Sequence, residues 1–203
     1  MCSVLGYFNA QIITITKGIT VHASQHWRWV YDPEADQLLV ELDHGLVHKC
    51  PYKSSRLIPL NPMHAAFSME DAACFQEFYD ILSTYELWDP MLLTQAALNR
   101  TILAHFGRPQ MPQSWYFQSC SETPNYPLDV GALVELNSGI ETGVFVIMAI
   151  DDEFAECMLI SSSMTLSDVK VMQQFDSVKV LINRLQASHY LQLHLDDDHL
   201  RHA

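Results

Sequence analysis

The chain has 203 residues, 49% of them apolar, so it can bury the core of one large domain or two small ones. Its 24 acidic and 11 basic residues give a formal net charge of -13 at pH 7, a field that repels nucleic acid and anionic membranes. We therefore expect no nucleic acid partner and, without an apolar stretch of about 18 residues, no membrane insertion. The five cysteines are odd in number and widely spaced, which indicates free thiols in a reducing cytosol.

Both ends of the chain are predicted to lie outside the folded part. Residues 1–24 are predicted to be a poorly ordered extension, and residues 188–203 a flexible acidic tail. In the extension, Lys17 follows the apolar run Ile12–Thr16, whereas a secretory signal places its basic residues first. We therefore expect that the extension is not a targeting segment.

Three short strands are predicted after the extension. Trp27–Tyr31, Gln37–Leu42 and Leu46–Tyr52 combine aromatic or alternating apolar residues with turn signals between them. Asp32–Asp36 contains a proline suited to a turn corner, and the glycine of Asp43–Gly45 supplies the positive φ of a tight turn. Short antiparallel strands in sequence indicate a meander.

A helical hairpin is predicted next, after a proline-containing connection at residues 59–67. The first helix begins at the N-cap Ser68. Its apolar stripe consists of Phe75, Phe78, Tyr79 and Leu82. The second helix begins at Asp89 and Pro90, with proline at the first helical position, and ends at Gly107. Its expected buried residues are Leu92, Ala96, Leu103 and Phe106.

The second half of the chain is predicted to be mostly β-structure, beyond the stiff connector Arg108–Pro112. The predicted strands are Trp115–Gln118, Val130–Leu136, Gly143–Ile150, Ala155–Ser161 and Val169–Met172. Apolar residues at helical spacing predict a short helix over Ser177–Leu185. The fold class is therefore α+β, with an N-terminal α/β lobe at residues 25–112 and a β-rich C-terminal lobe at residues 113–187.

No motif of the sequence predicts a catalytic, nucleotide-binding or metal site. The patterns GxSxG, GxGxxG and GxxxxGK[ST] are missing. His44 and His48 are separated by a turn, and the tail histidines His199 and His202 would bind metal only weakly. We expect no catalytic residue, no metal and no cofactor. One alternative stays open, an enzyme whose site is assembled from distant residues such as Asp32, His44 and His48.

The first strand carries an unusual aromatic face. The alternation of a strand places Trp27, Trp29 and Tyr31 on one side of it. Two interpretations are open. These rings form a face of the core, or they form the wall of a peptide-binding groove, where Trp and Tyr supply large contact area.

Seven segments spread over residues 27–186 carry a resemblance to a known family. Six of them are Trp27–Asp32, Leu38–Leu42, Asp43–Leu46, Phe67–Ala73, Val171–Gln173 and Ile182–Leu185. The most specific is Pro109–Phe117, in which a proline–methionine–proline link precedes a tryptophan. Together these segments resemble the ZapC family of bacterial cell-division proteins.

The resemblance implies a cytoplasmic protein that acts at the midcell division site during septation. ZapC-like proteins bind FtsZ, the tubulin-like protein of the Z ring, directly. They promote lateral bundling and stability of FtsZ polymers and lower FtsZ GTPase activity without being enzymes. The family fold has an N-terminal α/β part and a barrel-like C-terminal part.

A partner-binding groove is expected near the first hairpin and the proline link. Its apolar anchors would be Trp29, Tyr31, Leu39, Met111 and Trp115. Its basic residues would be Arg28, Lys53, Arg56 and Arg108, because FtsZ is itself acidic and two acidic proteins repel without a local positive patch. Bundling further requires two contact sites per molecule or weak self-association. The alternative is an adaptor with a different protein partner.

Overall fold

The structure, a computed structural model, describes residues 21–60, 64–120, 126–188 and 190. The predicted extension up to residue 20 and most of the predicted tail lie outside these described residues. The helices α1 (Met69–Ser83) and α2 (Pro90–Phe106) stand between two β-rich parts. The chain thus has strands, a helical hairpin and further strands in that order, which confirms the α+β class.

The strands before the helices are β1 (Arg28–Asp32), β2 (Gln37–Glu41), β3 (Val47–Lys49) and β4 (His64–Ala66). Those after the helices are β5 (Leu133–Asn137), β6 (Thr142–Ile150), β7 (Phe154–Leu159), β8 (Ser163–Ser167), β9 (Lys170–Gln173), β10 (Ser177–Leu181) and β11 (Gln186–Ala187). Short 3₁₀ helices cover Asp43–Gly45, Ser54–Arg56, Ser114–Tyr116 and Ile182–Arg184.

The first sheet is antiparallel with the strand order β3-β2-β1-β4. The predicted meander is confirmed, although β3 is shorter than expected because Pro51 has no N–H to continue the ladder. Strand β4 falls in the predicted connection. Its sequence, His64-Ala65-Ala66, has little β signal of its own, and it forms by pairing with β1, where Ala65 stands opposite Trp29.

Both helix starts follow the local signals. The Ser68 hydroxyl accepts a hydrogen bond from the backbone N of Asp71, and the Asp71 carboxylate accepts one from the backbone N of Ser68. The Asp89 carboxylate caps α2. The predicted stripe of α1 is buried. The buried face of α2 is wider than predicted: Leu92, Leu103 and Phe106 are half-buried, while the fully buried apolar residues are Leu93, Ala96, Ala97, Leu98 and Ile102.

The second half contains a five-stranded sheet of order β10-β7-β6-β5-β11 and a hairpin of β8 and β9. Two predictions are wrong here. Ser177–Leu185 forms β10 and a 3₁₀ turn instead of a helix, because Val178 and Val180 point into the core with the period of a strand. Trp115–Gln118 is not a strand, since residues 114–116 are a 3₁₀ helix. Strand β8 was not predicted.

The five-stranded sheet is buried on both faces. On one face, Val146, Met148 and Met158 join a single cluster with the first sheet and the helices. On the other, Phe145, Ile147 and Cys157 pack with the β8–β9 hairpin. The sheet is open in the described residues, with β10 and β11 at its edges. The two halves of the chain therefore share one continuous core, which fixes their surfaces relative to each other.

Candidate functional site

The first candidate surface is a groove beside the first hairpin, which we call the hairpin groove. Its volume is about 280 Å³, and it is lined by Tyr31, Ser54, Ser55, Ile58, Pro59, Leu60 and Arg108. Tyr31 lies near the end of β1 and Arg108 follows α2, so the two predicted regions do meet. The lining combines the apolar side chains of Ile58, Pro59 and Leu60 with hydroxyl groups and one cation, which suits a peptide segment that carries both apolar and acidic groups.

Asp36 fixes one wall of the hairpin groove. It accepts a 2.5 Å hydrogen bond from the Tyr31 hydroxyl and another of 2.5 Å from the Ser54 hydroxyl. Both hydrogen bonds lower the pKa of Asp36, and the one from Ser54 has the larger effect. The bond to Asp36 raises the pKa of Tyr31. One carboxylate therefore ties the β1–β2 turn to the segment that follows β3.

Two of the three arginines predicted for the groove, Arg56 and Arg108, have different surroundings. Their backbones are neighbours, since the N of Arg108 donates to the O of Arg56 at 2.9 Å. The Arg108 side chain is exposed, as is that of Lys53, just before the groove wall. The Arg56 guanidinium instead donates to the Ser177 hydroxyl at 2.8 Å and lies over the Tyr52 ring. Arg56 thus joins the two halves of the molecule, whereas Arg108 and Lys53 are available to a partner.

The second candidate surface, the linker face, consists of Met111, Trp115, Tyr116, Val169, Lys170 and Val171. Met111 is 80% exposed and Trp115 is 71% exposed. The Lys170 ammonium lies 4.2 Å from the centroid of the Tyr116 ring and donates to Gln113 Oε1 at 2.8 Å. This contact brings β9 beside the proline link. Lys170 is not among the predicted binding residues, because the sequence around a lysine does not show which distant residues it contacts.

The third candidate surface is the outer sheet face, which is the side of the first sheet turned away from the core. It carries Arg28, Val30, Leu39, Glu41, Val47 and Lys49, as the strand register shows. Arg28 stands opposite Glu41, and Leu39 stands between Val30 and Lys49. Arg28 and Leu39 therefore lie together, but on the opposite side of the sheet from Tyr31.

Trp29 is not an accessible anchor, and the core interpretation of the aromatic face is the right one for both tryptophans. Trp29 is 2% exposed, and its indole N–H donates to the Asp71 carboxylate at 2.8 Å. Trp27 is equally buried and donates to Asp43 at 2.9 Å. Tyr31, two residues further along the same face, reaches the sheet end and lines the hairpin groove instead.

The residues proposed for an assembled catalytic site do not meet. Asp32 and His44 lie at opposite ends of β2, which spans five residues, or roughly 16 Å. Asp32 Oδ1 accepts backbone hydrogen bonds in its own turn. His48 bonds Asn99 Oδ1 at 2.8 Å through its Nε2, and burial lowers its pKa. These three side chains form no common reaction centre.

The part of the chain that the structure describes holds no group of three or more histidine, cysteine, aspartate or glutamate side chains placed to bind a metal ion. Neither α1 nor α2 is long and apolar enough to cross a membrane.

Comparisons with known proteins agree on one family. Residues 20–108 match the family described as "Cell-division protein ZapC, N-terminal", and residues 109–190 match "Cell-division protein ZapC, C-terminal". Relatives named "Cell division protein ZapC" include those of Idiomarina loihiensis (41% identity over 81% of this chain and 89% of the relative) and Pseudoalteromonas translucida (30% identity over 81% and 92%). A third, from Ferrimonas balearica, is 33% identical over 78% of this chain and 88% of the relative. The chain therefore belongs to the ZapC family of cell-division proteins.

Proposed function

We propose that this protein binds FtsZ polymers at the midcell division site in the cytoplasm, bundles them laterally and lowers their GTPase activity, without catalysing a reaction itself. The ZapC family membership supports a role in division. The surface chemistry of the molecule supports a role as a binding protein.

The linker face carries this proposal. Exposed tryptophan and methionine side chains are costly to leave in water and are enriched in protein interfaces. The rings of Trp115 and Tyr116 lie 5.7 Å apart between centroids, tilted by 42°, and Lys170 covers the Tyr116 ring. This aromatic pair can therefore fill an apolar pocket of a partner, while Lys170 and Arg108 offset the repulsion between two acidic proteins.

Bundling requires a second contact, because a molecule with one binding site decorates a polymer without joining it to another. The outer sheet face offers such a site. It lies on the first sheet, whereas the linker face is built from the proline link and β9. Half-buried Leu39 and exposed Arg28 give it the same combination of apolar and basic groups.

The test is co-sedimentation with GTP-assembled FtsZ. The double variant Met111→Ser and Trp115→Ala removes the two largest exposed apolar side chains of the linker face without changing the charge. Its matched control is Met69→Ser with Ile140→Ala, since Met69 and Ile140 are also exposed and lie outside the three surfaces. We expect the first variant to lose binding and the control to bind like the parent protein. Equal binding by both would remove the linker face from the proposal.

A further inference from the structure

A second groove lies at the edge of the first sheet, and its lining differs from that of the hairpin groove. It runs along β3 and is lined by Val47, His48, Lys49, Pro51, Gln95, Asn99 and Phe175. Its volume is about 280 Å³. Strand β3 is an edge strand, with β2 on one side and no strand on the other in the described part of the chain. We call this surface the β3 edge groove.

The backbone of β3 presents hydrogen-bonding groups to this groove. The N of Cys50 donates to the O of Leu38, and the N of Leu42 donates to the O of Leu46. In an antiparallel ladder such bonded pairs alternate with pairs whose N–H and C=O groups point away from the partner strand. His48 and Val40, which stand opposite each other, therefore form a bonded pair. The N–H and C=O groups of Val47 and Lys49 are consequently directed outwards, to the open edge.

The groove floor also holds a polar group that lacks a partner. Gln95 and Asn99 are four residues apart on α2 and so share one helix face. Asn99 is fully buried, and its Oδ1 bonds His48. Its Nδ2 has no hydrogen-bond partner among the described residues. A buried donor without an acceptor costs free energy that an incoming carbonyl or carboxylate oxygen would recover.

Phe175 closes the opposite side in a strained conformation. Its φ is 69°, in the left-handed region that a bulky side chain rarely adopts. The backbone is held there by the Tyr52 hydroxyl, which donates to the O of Phe175 at 2.9 Å, and by Leu159, whose O accepts from the N of Phe175 at 2.8 Å. Strain of this kind persists where surrounding structure fixes it, often at ligand clamps.

The charge of the lining selects the occupant. No aspartate or glutamate lines the groove, in a chain that has 24 of them. Lys49 supplies a cation, while Gln95 and Asn99 supply amide groups. We infer that an extended, acidic segment of the partner polypeptide pairs with Val47 and Lys49 as an added strand, and places a side-chain carboxylate or main-chain oxygen against Lys49 and the α2 amides. This inference rests on the proposed function, with FtsZ as the partner.

The test uses a substitution that blocks an added strand and leaves the fold intact. Val47→Pro removes one outward N–H, which the native ladder does not use, and proline is accepted on the open side of edge strands. Val47→Ala is the matched control, because it trims the side chain and keeps the N–H. Val47→Pro is expected to co-sediment with FtsZ polymers about tenfold more weakly than Val47→Ala, the loss that one hydrogen bond of about 1.4 kcal/mol represents. Both variants lack the valine side chain, so equal binding by the two would contradict the added strand.

Amide hydrogen exchange gives a second readout that does not depend on the proline. On addition of FtsZ polymers, the amides of Val47 and Lys49 should become protected, whereas the amide of His48 is already protected in the free protein. Unchanged exchange at Val47 and Lys49 while the protein pellets with FtsZ would overturn the inference and leave the proposed function intact. Failure of the parent protein to pellet at all would overturn the proposed function.

Discussion

The indole N–H of Trp29 donates a 2.8 Å hydrogen bond to Asp71, and both side chains are buried. The same carboxylate caps α1 through the backbone N of Ser68 and lies 3.3 Å from Nε2 of His105 on α2. One acidic side chain thereby joins β1, the start of α1 and the end of α2, and explains why Trp29 belongs to the core.

The first prediction concerns Asp71. Asp71→Ala should lower the free energy of unfolding by about 2–4 kcal/mol, because it removes the side-chain half of the capping box and leaves the buried Trp29 N–H without an acceptor. Urea denaturation measures this loss. Glu70→Ala, the exposed neighbour, is the control and should change stability by less than about 0.5 kcal/mol. Similar losses for the two variants would show that the buried network contributes little.

The second prediction concerns Gly107, where α2 ends. Its φ is −66°, so its role is not a left-handed turn. A Cβ here would lie 2.4 Å from the carbonyl O of Leu103, and backbone cannot yield easily. Gly107→Ala should therefore cost about 1–3 kcal/mol of stability in urea denaturation. Gly45→Asn is the contrasting control, since Gly45 has a φ of 74° with open space around it and asparagine tolerates that conformation.

The third prediction concerns charge on the binding surfaces. Arg28, Lys53 and Arg108 are exposed, and changing all three to Glu should abolish co-sedimentation with FtsZ. Changing the same three to Gln should give an intermediate loss, and added salt should weaken binding by the parent protein. Arg56 is left unchanged because its guanidinium bonds Ser177 across the two halves. A salt-independent affinity that is the same for all three proteins would refute an electrostatic contribution.

The fourth prediction concerns buried thiols. Burial raises the pKa of Cys50 from 9.0 to about 11, and burial also raises the pKa of Cys157. Because the unfolded thiol ionises at lower pH, the stability that these neutral thiols contribute is fully present below about pH 9. It is lost as the pH rises from 9 towards 11.

Urea midpoints between pH 8 and pH 11 would measure that loss, with Cys50→Ala as the comparison. The variant should show a smaller decline over this window than the parent protein. Thiol labelling at pH 8 should modify half-exposed Cys74 and Cys120 before Cys50 and Cys157. Equal labelling rates for all four would contradict the burial of the last two.

Local signals predicted the helices well and the strands unevenly. Ser68, Asp89 and Pro90 mark helix starts through interactions within one turn, so the sequence alone suffices. The apolar residues of Ser177–Leu185 fit the period of a helix as well as that of a strand, so the sequence predicts a helix there. Pairing with β7, where Val178 stands opposite Cys157, stabilises the strand, and neighbouring residues in the sequence do not reveal such a long-range contact.

The candidate site was predicted only in part for the same reason. The alternation of residues along a strand predicts that Trp29 and Tyr31 share one face. It does not predict that α1 and α2 cover Trp29. Exposure of Met111 and Trp115 depends on how the proline link crosses the second half, and Lys170 reaches Tyr116 only through the fold. Arg56 was expected at the surface, and its bond to Ser177 could not be read from residues so far apart in sequence.

The most direct measurement of the central claim is co-sedimentation of the unmodified protein with GTP-assembled FtsZ at low ionic strength, with phosphate release followed in the same sample. A polymer-binding ZapC-family protein should enter the pellet in proportion to the polymer, increase bundle formation and slow phosphate release. A protein that stays in the supernatant while FtsZ sediments, with unchanged phosphate release, would contradict it.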